Sequence, residues 1–379
     1  MTVDIFDTTK DVVKLIITRG TSFIDPIAGW TNISINKSLE NLSGAFSIGM
    51  TQELKATGGL RNQIIRKGDG CILTINDKPI ITGFIDDVTI GYTTTTHTIQ
   101  VTGRDKTADL IDSSLIGSAD FSASYTPKKL VEHILFVLGI TGIKVLDKTG
   151  VSLLYEEDFK ASTGKNAWMQ LDKYLQKKSI FATVDVDGNI VLFQGSLGNT
   201  NQALFHFGSS NPNNSMNNIK SGNQIDSEIN RFNKISIVSQ STSDISDGSF
   251  NEQGGDSFSA IDSTIRSTRQ LEIVANSSLT SAECQDLADF QRNIRQARGT
   301  KYTYEVQGFT QINGDLWLPN YEVYVNDEFF NIEDYFLIKS INMVKNNDAG
   351  TITTLEVVDK LAYTLREPIA IKKSEELDF

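Results

Sequence analysis

Residues 71–80 read CILTINDKPI and residues 321–330 read YEVYVNDEFF; set one over the other, Asn76-Asp77 falls on Asn326-Asp327. Each stretch is an alternating β-branched run that reaches an Asn-Asp pair, residue types that tolerate the left-handed backbone of a tight hairpin. Further along, HTIQVTGRDKTADL (97–110) lines up with TITTLEVVDKLAYT (351–364), placing Asp105-Lys106 on Asp359-Lys360. From Asp77 to Asp105 is 28 residues and from Asp327 to Asp359 is 32, a difference that one longer hairpin absorbs. The correspondence predicts a mainly β chain with two related antiparallel β-barrels.

The surrounding pattern fills in the rest. Val12–Thr18, Ile33–Asn36, Ile72–Ile75, Ile80–Ile85 and Thr98–Thr102 are short alternating runs that predict strands of a first barrel over 1–103. Residues 104–200 predict a small α+β domain. Thr126 caps a helix with Pro127 in its first turn, Leu130, Val131, Ile134, Leu135 and Leu138 form its apolar face, and Gly139 ends it. A second helix runs from about Asn166 to Lys178 with Trp168, Leu171 and Leu175 inward, and a hairpin follows, Ile180–Val186 and Ile190–Phe193 around Asp187-Gly188-Asn189. The second barrel takes 201–240 and 300–365, with strands at Tyr302–Val306, Glu322–Val325, Leu337–Val344 and Thr351–Val358. Residues 241–299 read as an insertion. Its Ser/Gly/Asp-rich start, Ser241–Asp262, predicts a mobile loop, and the capping box Thr280-Ser281-Ala282-Glu283 starts a helix to about Arg298. Residues 366–379 read as a polar tail.

Composition narrows the function. A length of 379 residues suits two to three domains, and 39% hydrophobic with 22% charged side chains is ordinary for a globular protein. Nothing approaches the ~18 consecutive apolar residues of a membrane span, and the acidic start MTVDIFDTTKD predicts no signal peptide. Residues 201–379 hold 15 basic and 25 acidic side chains against a whole-chain charge of −12, so most of the imbalance sits there. That argues against general nucleic-acid binding, which needs a basic footprint. Cys71 and Cys284 read as small buried hydrophobes.

Catalytic and metal chemistry finds little support. His97, His133 and His206 share no ligand spacing. Glu156-Glu157-Asp158 is the densest carboxylate cluster but reads as solvated, and Asp185–Asn189 starts like a calcium loop with its Gly displaced, so a hairpin turn is the expectation. Catalytic, cofactor and metal sites are therefore all expected to be absent. Arg292, Arg295 and Arg298 recur every third residue as a basic stripe, a solvated helix face or a contact with an acidic neighbouring subunit. In Gly103-Arg104-Asp105-Lys106 a strand passes into a helix, with Asp105 as the expected cap for Thr107–Leu110. Asp315, Glu322, Asp327, Glu328, Glu333 and Asp334 form an acidic segment without Lys or Arg. Asp315, Asp327 and Glu328 are its candidates for a surface that repels nucleic acid.

GWTNISINKSLENLSGAFSI (29–48) followed by VTGRDKTADLID (101–112) resembles the first domain of the Mu-type tail protein P family, baseplate hubs of contractile phage tails. YEVQGFTQINGDLWLPNYEVYVND (304–327), LIKSINMV (337–344) and GTITTLEVV (350–358) resemble that family's second barrel. T-even hubs and the hub part of type VI secretion spike proteins are similar. The resemblance implies two barrels with a smaller α/β part between them, and marks Gly103, Arg104, Asp105 and Lys106 as a domain junction. It implies a homotrimer forming a pseudo-six-fold ring that joins the hexameric tail tube to the trimeric central spike. DNA would pass through the ring's channel without specific binding, and the acidic candidates would line it. A separate spike protein, the tube protein and other baseplate proteins are the expected partners, in a virion tail assembled in the bacterial host cytoplasm. A tail-associated peptidoglycan hydrolase or carbohydrate-binding β protein is the alternative. A hydrolase needs an acid/base set that is not visible, and a sugar binder needs clustered exposed aromatics, whereas Trp30, Trp168 and Trp317 are scattered.

Overall fold

The computed structural model describes residues 11–20, 22–53, 65–115, 120, 125–150, 159–162, 164–177, 180–239, 257–274, 281–346 and 350–363. The chain divides into two compact units, one of residues 1–224 with 302–358, the other of 225–301 with 359–379.

In the first unit the strands are β1 (Val13–Arg19), β2 (Ser22–Ile27), β3 (Asn32–Ser38), β4 (Asn41–Glu53), β5 (Gly70–Ile75), β6 (Lys78–Tyr92) and β7 (Thr96–Asp105). The helix α1 (Ala108–Asp112) follows directly on β7, and α2 (Pro127–Val137), β8 (Val145–Asp147), α3 (Ala167–Lys177), β9 (Phe181–Val184) and β10 (Ile190–Phe193) continue from it. Then come β11 (Leu204–His206) and β12 (Ile219–Asp226), and after the second unit has intervened, β16 (Thr300–Gln307), β17 (Glu322–Asp327), β18 (Ile332–Asn346) and β19 (Gly350–Asp359). The second unit contributes β13 (Lys234–Val238), β14 (Ser257–Ile261), β15 (Gln270–Val274) and α4 (Ser281–Gly299).

The chain is mainly β with small α/β parts. Thirteen strands share one sheet, running β12-β16-β19-β18-β3-β4-β7-β6-β5-β1-β2, with β17 pairing β18 and β11. Alternation puts Ile33, Ile35, Ile48, Leu73, Val101, Val323, Ile341, Leu355 and Val357 into a single core. The repeat is visible as two meanders, β5-β6-β7 and β17-β18-β19, spliced side by side where β18 pairs antiparallel with β3. β6 and β18 are both 15 residues long, and β7 and β19 both 10. The extra residues of the second copy lie in the turn between β17 and β18. The first copy turns on Asn76 and Asp77 alone, both with positive φ.

The 104–200 region forms its own small core. Leu130, Val131, Ile134 and Leu135 of α2 and Leu171 and Leu175 of α3 pack with Ile190 and Leu192 of the β8-β10-β9 sheet. Thr126 Oγ1 accepts the Lys129 amide at 3.3 Å and Pro127 opens α2, while Gly139, with φ of 70°, follows its end. Trp168 packs against this core half-buried. The turn at 185–189 is held by Asp185, whose Oδ1 accepts the amides of Asp187 and Asn189 at 2.9 and 2.8 Å, so those carboxylate lone pairs serve a hairpin.

In the second unit, β14-β13-β15 packs one face on α4 through Ile235, Ile237, Ala260, Cys284 and Ala288. Two expectations change here. Ser257–Ile261, placed in a mobile loop from its Ser content, is a strand, because it pairs with β13 from Lys234↔Ile261 to Val238↔Ser257. Lys234–Val238, assigned to the second barrel, lies in this three-stranded sheet. The rest of the loop (241–256), Thr280 of the capping box, the Glu156-Glu157-Asp158 cluster and the tail lie outside the described residues. β2 and β4 were not foreseen.

Candidate functional site

The GRDK motif sits where β7 leaves the sheet and α1 begins. Three glycines let the chains close on it. A Cβ at Gly83 would lie 1.8 Å from the Arg104 carbonyl oxygen, one at Gly103 2.4 Å from the Phe84 carbonyl oxygen, and one at Gly44 2.7 Å from Asp105 Oδ2. Asp105 is fully buried (0% exposed). Its Oδ2 accepts the Gly44 amide at 2.8 Å and lies 3.5 Å from the Nζ of Lys37, itself buried. Lys37 also donates to the carbonyls of Ile80 at 3.2 Å and Asp185 at 3.4 Å. Burial lifts the Asp105 carboxyl above the usual carboxylate range, with the Lys37 charge opposing. Asp105 is thus no helix cap: Thr107 holds the N-cap position of α1 without a side-chain cap bond, and its Oγ1 donates instead to the Leu42 carbonyl at 3.2 Å. Arg104 reaches Asp86 and Asp112, each at 2.7 Å, which raises its own basicity and holds Asp112 below its ordinary value. Lys106 Nζ donates to the carbonyls of Gly142 and Asp187 at 3.3 and 3.0 Å. Arg104, Asp105 and Lys106 thus each tie one part of the structure to another, while Asp105 Oδ1 is buried without a hydrogen-bond partner.

The acidic segment is less uniform than its sequence. Asp315 is paired with Lys78 at 2.9 Å and its carboxyl is held low chiefly by that bond. Asp327, a candidate for an exposed hairpin tip, is only 2% exposed. Its Oδ1 accepts the amides of Phe329 at 2.9 Å and Phe330 at 3.3 Å and faces His206 Nδ1 at 3.1 Å, so it caps the turn from inside. Beside it, the Tyr304 hydroxyl is pushed up by burial and by the Asp327 charge. Glu328, Glu333 and Asp334 remain exposed, with Glu328 accepting the Gly208 amide at 2.7 Å and Glu333 the Tyr324 hydroxyl at 2.7 Å. Around them the fold assembles an aromatic row that no local pattern announced. Phe207 stacks on Phe205 at 5.8 Å, Phe205 meets Tyr324 at 6.3 Å, and Tyr324 meets Tyr335 at 5.2 Å.

The same two regions carry the likeness to known proteins. Residues 24–105 match the family described as Mu phage baseplate assembly protein GpP-like, N-terminal, and residues 280–366 match Mu phage baseplate assembly protein GpP, fourth domain. The chain carries two domains of the Mu phage GpP baseplate family. The baseplate hub protein gp44 of Escherichia phage Mu is 22% identical over 342 residues, covering 88% of this chain and 86% of that one. The 43 kDa tail protein of prophage MuSo2 from Shewanella oneidensis is 27% identical with a TM-score of 0.75, over 93% of this chain and 99% of that one. The E. coli c3393 protein, a type VI secretion component similar in structure to T4 tail proteins gp27 and gp5, shares the fold at 11% identity and a TM-score of 0.56, over 94% and 79%. This is a phage tail baseplate protein. Its first family match ends on Asp105, the last residue of β7.

The arginines of this baseplate protein are occupied within their own unit. Arg292 pairs with Asp289 at 3.0 Å, Arg295 lies 5.5 Å over the Phe232 ring, and Arg298 donates to the Ala362 carbonyl at 3.0 Å and lies 5.0 Å over the Tyr363 ring. Burial lowers the basicity of Arg295. Among the described residues no three or more His, Cys, Asp or Glu are placed to hold a metal, and no helix is long and apolar enough to cross a membrane. Both cysteines are buried thiols, and burial pushes the Cys71 thiol up to about 12. Trp30 and Trp317 are buried in the main core and offer no sugar platform.

Proposed function

We propose that three copies of this protein close into the hub ring of the tail baseplate, joining a hexameric tail tube to a trimeric central spike around a channel for DNA. The observation that carries this is the pair of meanders with matched strand lengths in one sheet. Three chains with two such elements each present six similar elements about an axis, while the chain as a whole repeats only three times. Such an object meets six-fold and three-fold neighbours together. The protein would act without catalysis, as a virion component put together in the host cytoplasm.

The outward face of the sheet suits a channel wall. Cross-strand rows there read Val344, Ser34, Ser47, Thr102 and Asn342, Asn36, Ala45, Arg104. Hydroxyls and amides keep such a wall wet, and one cation in eight positions gives DNA phosphates little to hold. The acidic lining read from the sequence has weaker support: Asp327 is buried and Asp315 is paired, which leaves Glu328, and exposed charge acts over only ~8 Å at physiological salt.

Mass measurement in solution, with and without the spike protein, tests the ring. The expected mass is three times the 41.9 kDa chain. A monomer under both conditions at micromolar concentration sinks the proposal.

A further inference from the structure

The tip of the β17–β18 hairpin is unusual for a surface without a partner. Phe329 is 78% exposed, and Glu328, Glu333, Asp334 and Tyr335 stand exposed around it. Behind the tip runs the aromatic row from Tyr335 to Phe207. The patch is aromatic and negatively charged, and no Lys or Arg occurs from Asp315 to Asp334. The same unit carries a patch of opposite sign. On α2, Phe136 is 81% exposed with exposed Lys129 two turns earlier on the same helix face and Glu132, 3.8 Å from Lys128, one turn earlier, and on α3, Met169 is 71% exposed with exposed Lys173 four residues later, while exposed Lys165 lies in the turn just before α3. Residues seven and four apart share one side of a helix, so apolar and cationic groups stand together on each.

We propose that the β17–β18 tip of one copy docks on the α2–α3 surface of the next copy, Phe329 seating against Phe136 and Met169 while Glu328, Glu333 and Asp334 face Lys129, Lys165 and Lys173. The occupant is a second copy of this chain because both halves of the match, apolar to apolar and negative to positive, are present in one unit. Two different patches on each subunit make a head-to-tail contact, the kind that closes rings rather than pairs. Exposed aromatics and a methionine at the centre with charges at the rim is the composition of a protein interface. The proposal rests on the ring reading and specifies one of its contacts, and it puts Glu328 under a neighbour rather than on the channel wall.

The test uses the full chain. Phe329→Cys and Met169→Cys variants are purified separately, mixed, and treated with a short bis-maleimide; Cys71 and Cys284 are buried, and unsubstituted protein controls for them. A mixed dimer linking position 329 to position 169 is expected. Phe329→Ala should weaken association by roughly tenfold or more, as loss of a central aromatic anchor does. Glu328→Lys should weaken it too, with Lys173→Glu in the partner restoring part of the loss. Links only between two copies of position 329 would mean a two-fold pairing of tips, and no link in the mixture would leave the patch to a partner of other sequence; either overturns the proposal. The mass of the unsubstituted protein separates the two ideas. A trimer without the mixed link rejects this contact alone, and a monomer that still forms the link at high concentration rejects the ring alone.

Discussion

The two meanders have the same strand lengths and place the same residue pair at the end of their third strand, yet the pairs live in different surroundings. Asp105 closes β7 fully buried, tied to Lys37 and the Gly44 amide. Asp359 closes β19 exposed, its Oδ1 accepting the Leu361 amide at 2.8 Å to cap a short helical turn. Counting from the starts of β6 and β18, the glycines at 83 and 103 of the first copy stand where the second has Leu337 and Val357, both buried. The first copy has glycines at these two places, where β6 and β7 close on each other and on the Phe46 ring of β4, and it buries an ion pair beside them. The second kept ordinary packing. Strand length therefore sets the register of both copies, while the neighbours of each set its energetics.

The ion pair gives the largest expected difference. Lys37→Met alone leaves Asp105 buried without its counter-charge, and Asp105→Asn alone does the same to Lys37. Each should cost about 3–5 kcal/mol in chemical denaturation, whereas the double variant should recover most of that loss. Asp359→Asn, where the amide still caps, should stay within about 0.5 kcal/mol. If Asp105→Asn proves as mild as Asp359→Asn, the contrast between the copies fails.

The glycines come next. At Gly83 the obstacle to a Cβ is a backbone carbonyl, which has nowhere to go, so Gly83→Ala should cost about 3 kcal/mol or more, the upper end of overpacking. Val357→Ala in the second copy should cost about 2 kcal/mol, from lost methyl burial and a small cavity. Thermal unfolding of both variants checks the order, and an alanine at 83 that unfolds like the parent would show that β6 and β7 can part there.

The turns differ more modestly. Asp327→Ala strands the Phe329 and Phe330 amides beside a buried position and should cost about 2 kcal/mol. Asp77 is exposed at a φ of 65°, so Asp77→Gly should change stability by no more than about 0.5 kcal/mol, relief of left-handed strain offsetting the glycine's extra unfolded freedom. Urea midpoints for the two should differ accordingly.

How much of this was legible follows from how local each signal is. The hairpins, the α2 cap and the meander strands were readable because period, turn residues and caps lie within a few residues of one another. β4 was missed since Gly44 and Gly49 break its alternation, and those glycines answer to neighbours far along the chain. β2 was missed because Pro26 argues against a strand, which an edge position tolerates. The acidic run looked uniform because burial is not written in a run of charges: Asp327 is sequestered by residues near 206 and 304, over a hundred and over twenty positions away respectively. The aromatic row joins 205–207 to 324 and 335, so only the pairing of β11 with β17 and of β17 with β18 could reveal it. The arginine stripe gave correct helical spacing and nothing about Phe232 or Tyr363.

The last contrast lies one residue before Asp105. Arg104 bonds Asp86 and Asp112, whereas its counterpart in the second copy is the buried Val358. Arg104 and its partners are a third or more exposed, so solvent screens them, and Arg104→Gln should cost only about 0.5–1 kcal/mol at neutral pH. Its pH dependence identifies it. The Asp112 carboxyl is depressed in the folded protein by the Arg104 bond, so its share of stability is present above the unfolded carboxylate range near ~3.9 and is lost as pH falls through the folded value. Parent and variant should therefore differ at pH 7 and converge as the pH drops below about 4. The same scan on Val358→Thr, which removes no charge, should show a gap that does not close with acid. A gap for Arg104→Gln that stays constant to low pH would mean that the arginine matters through its packed stem, and the electrostatic half of the comparison would have to be withdrawn.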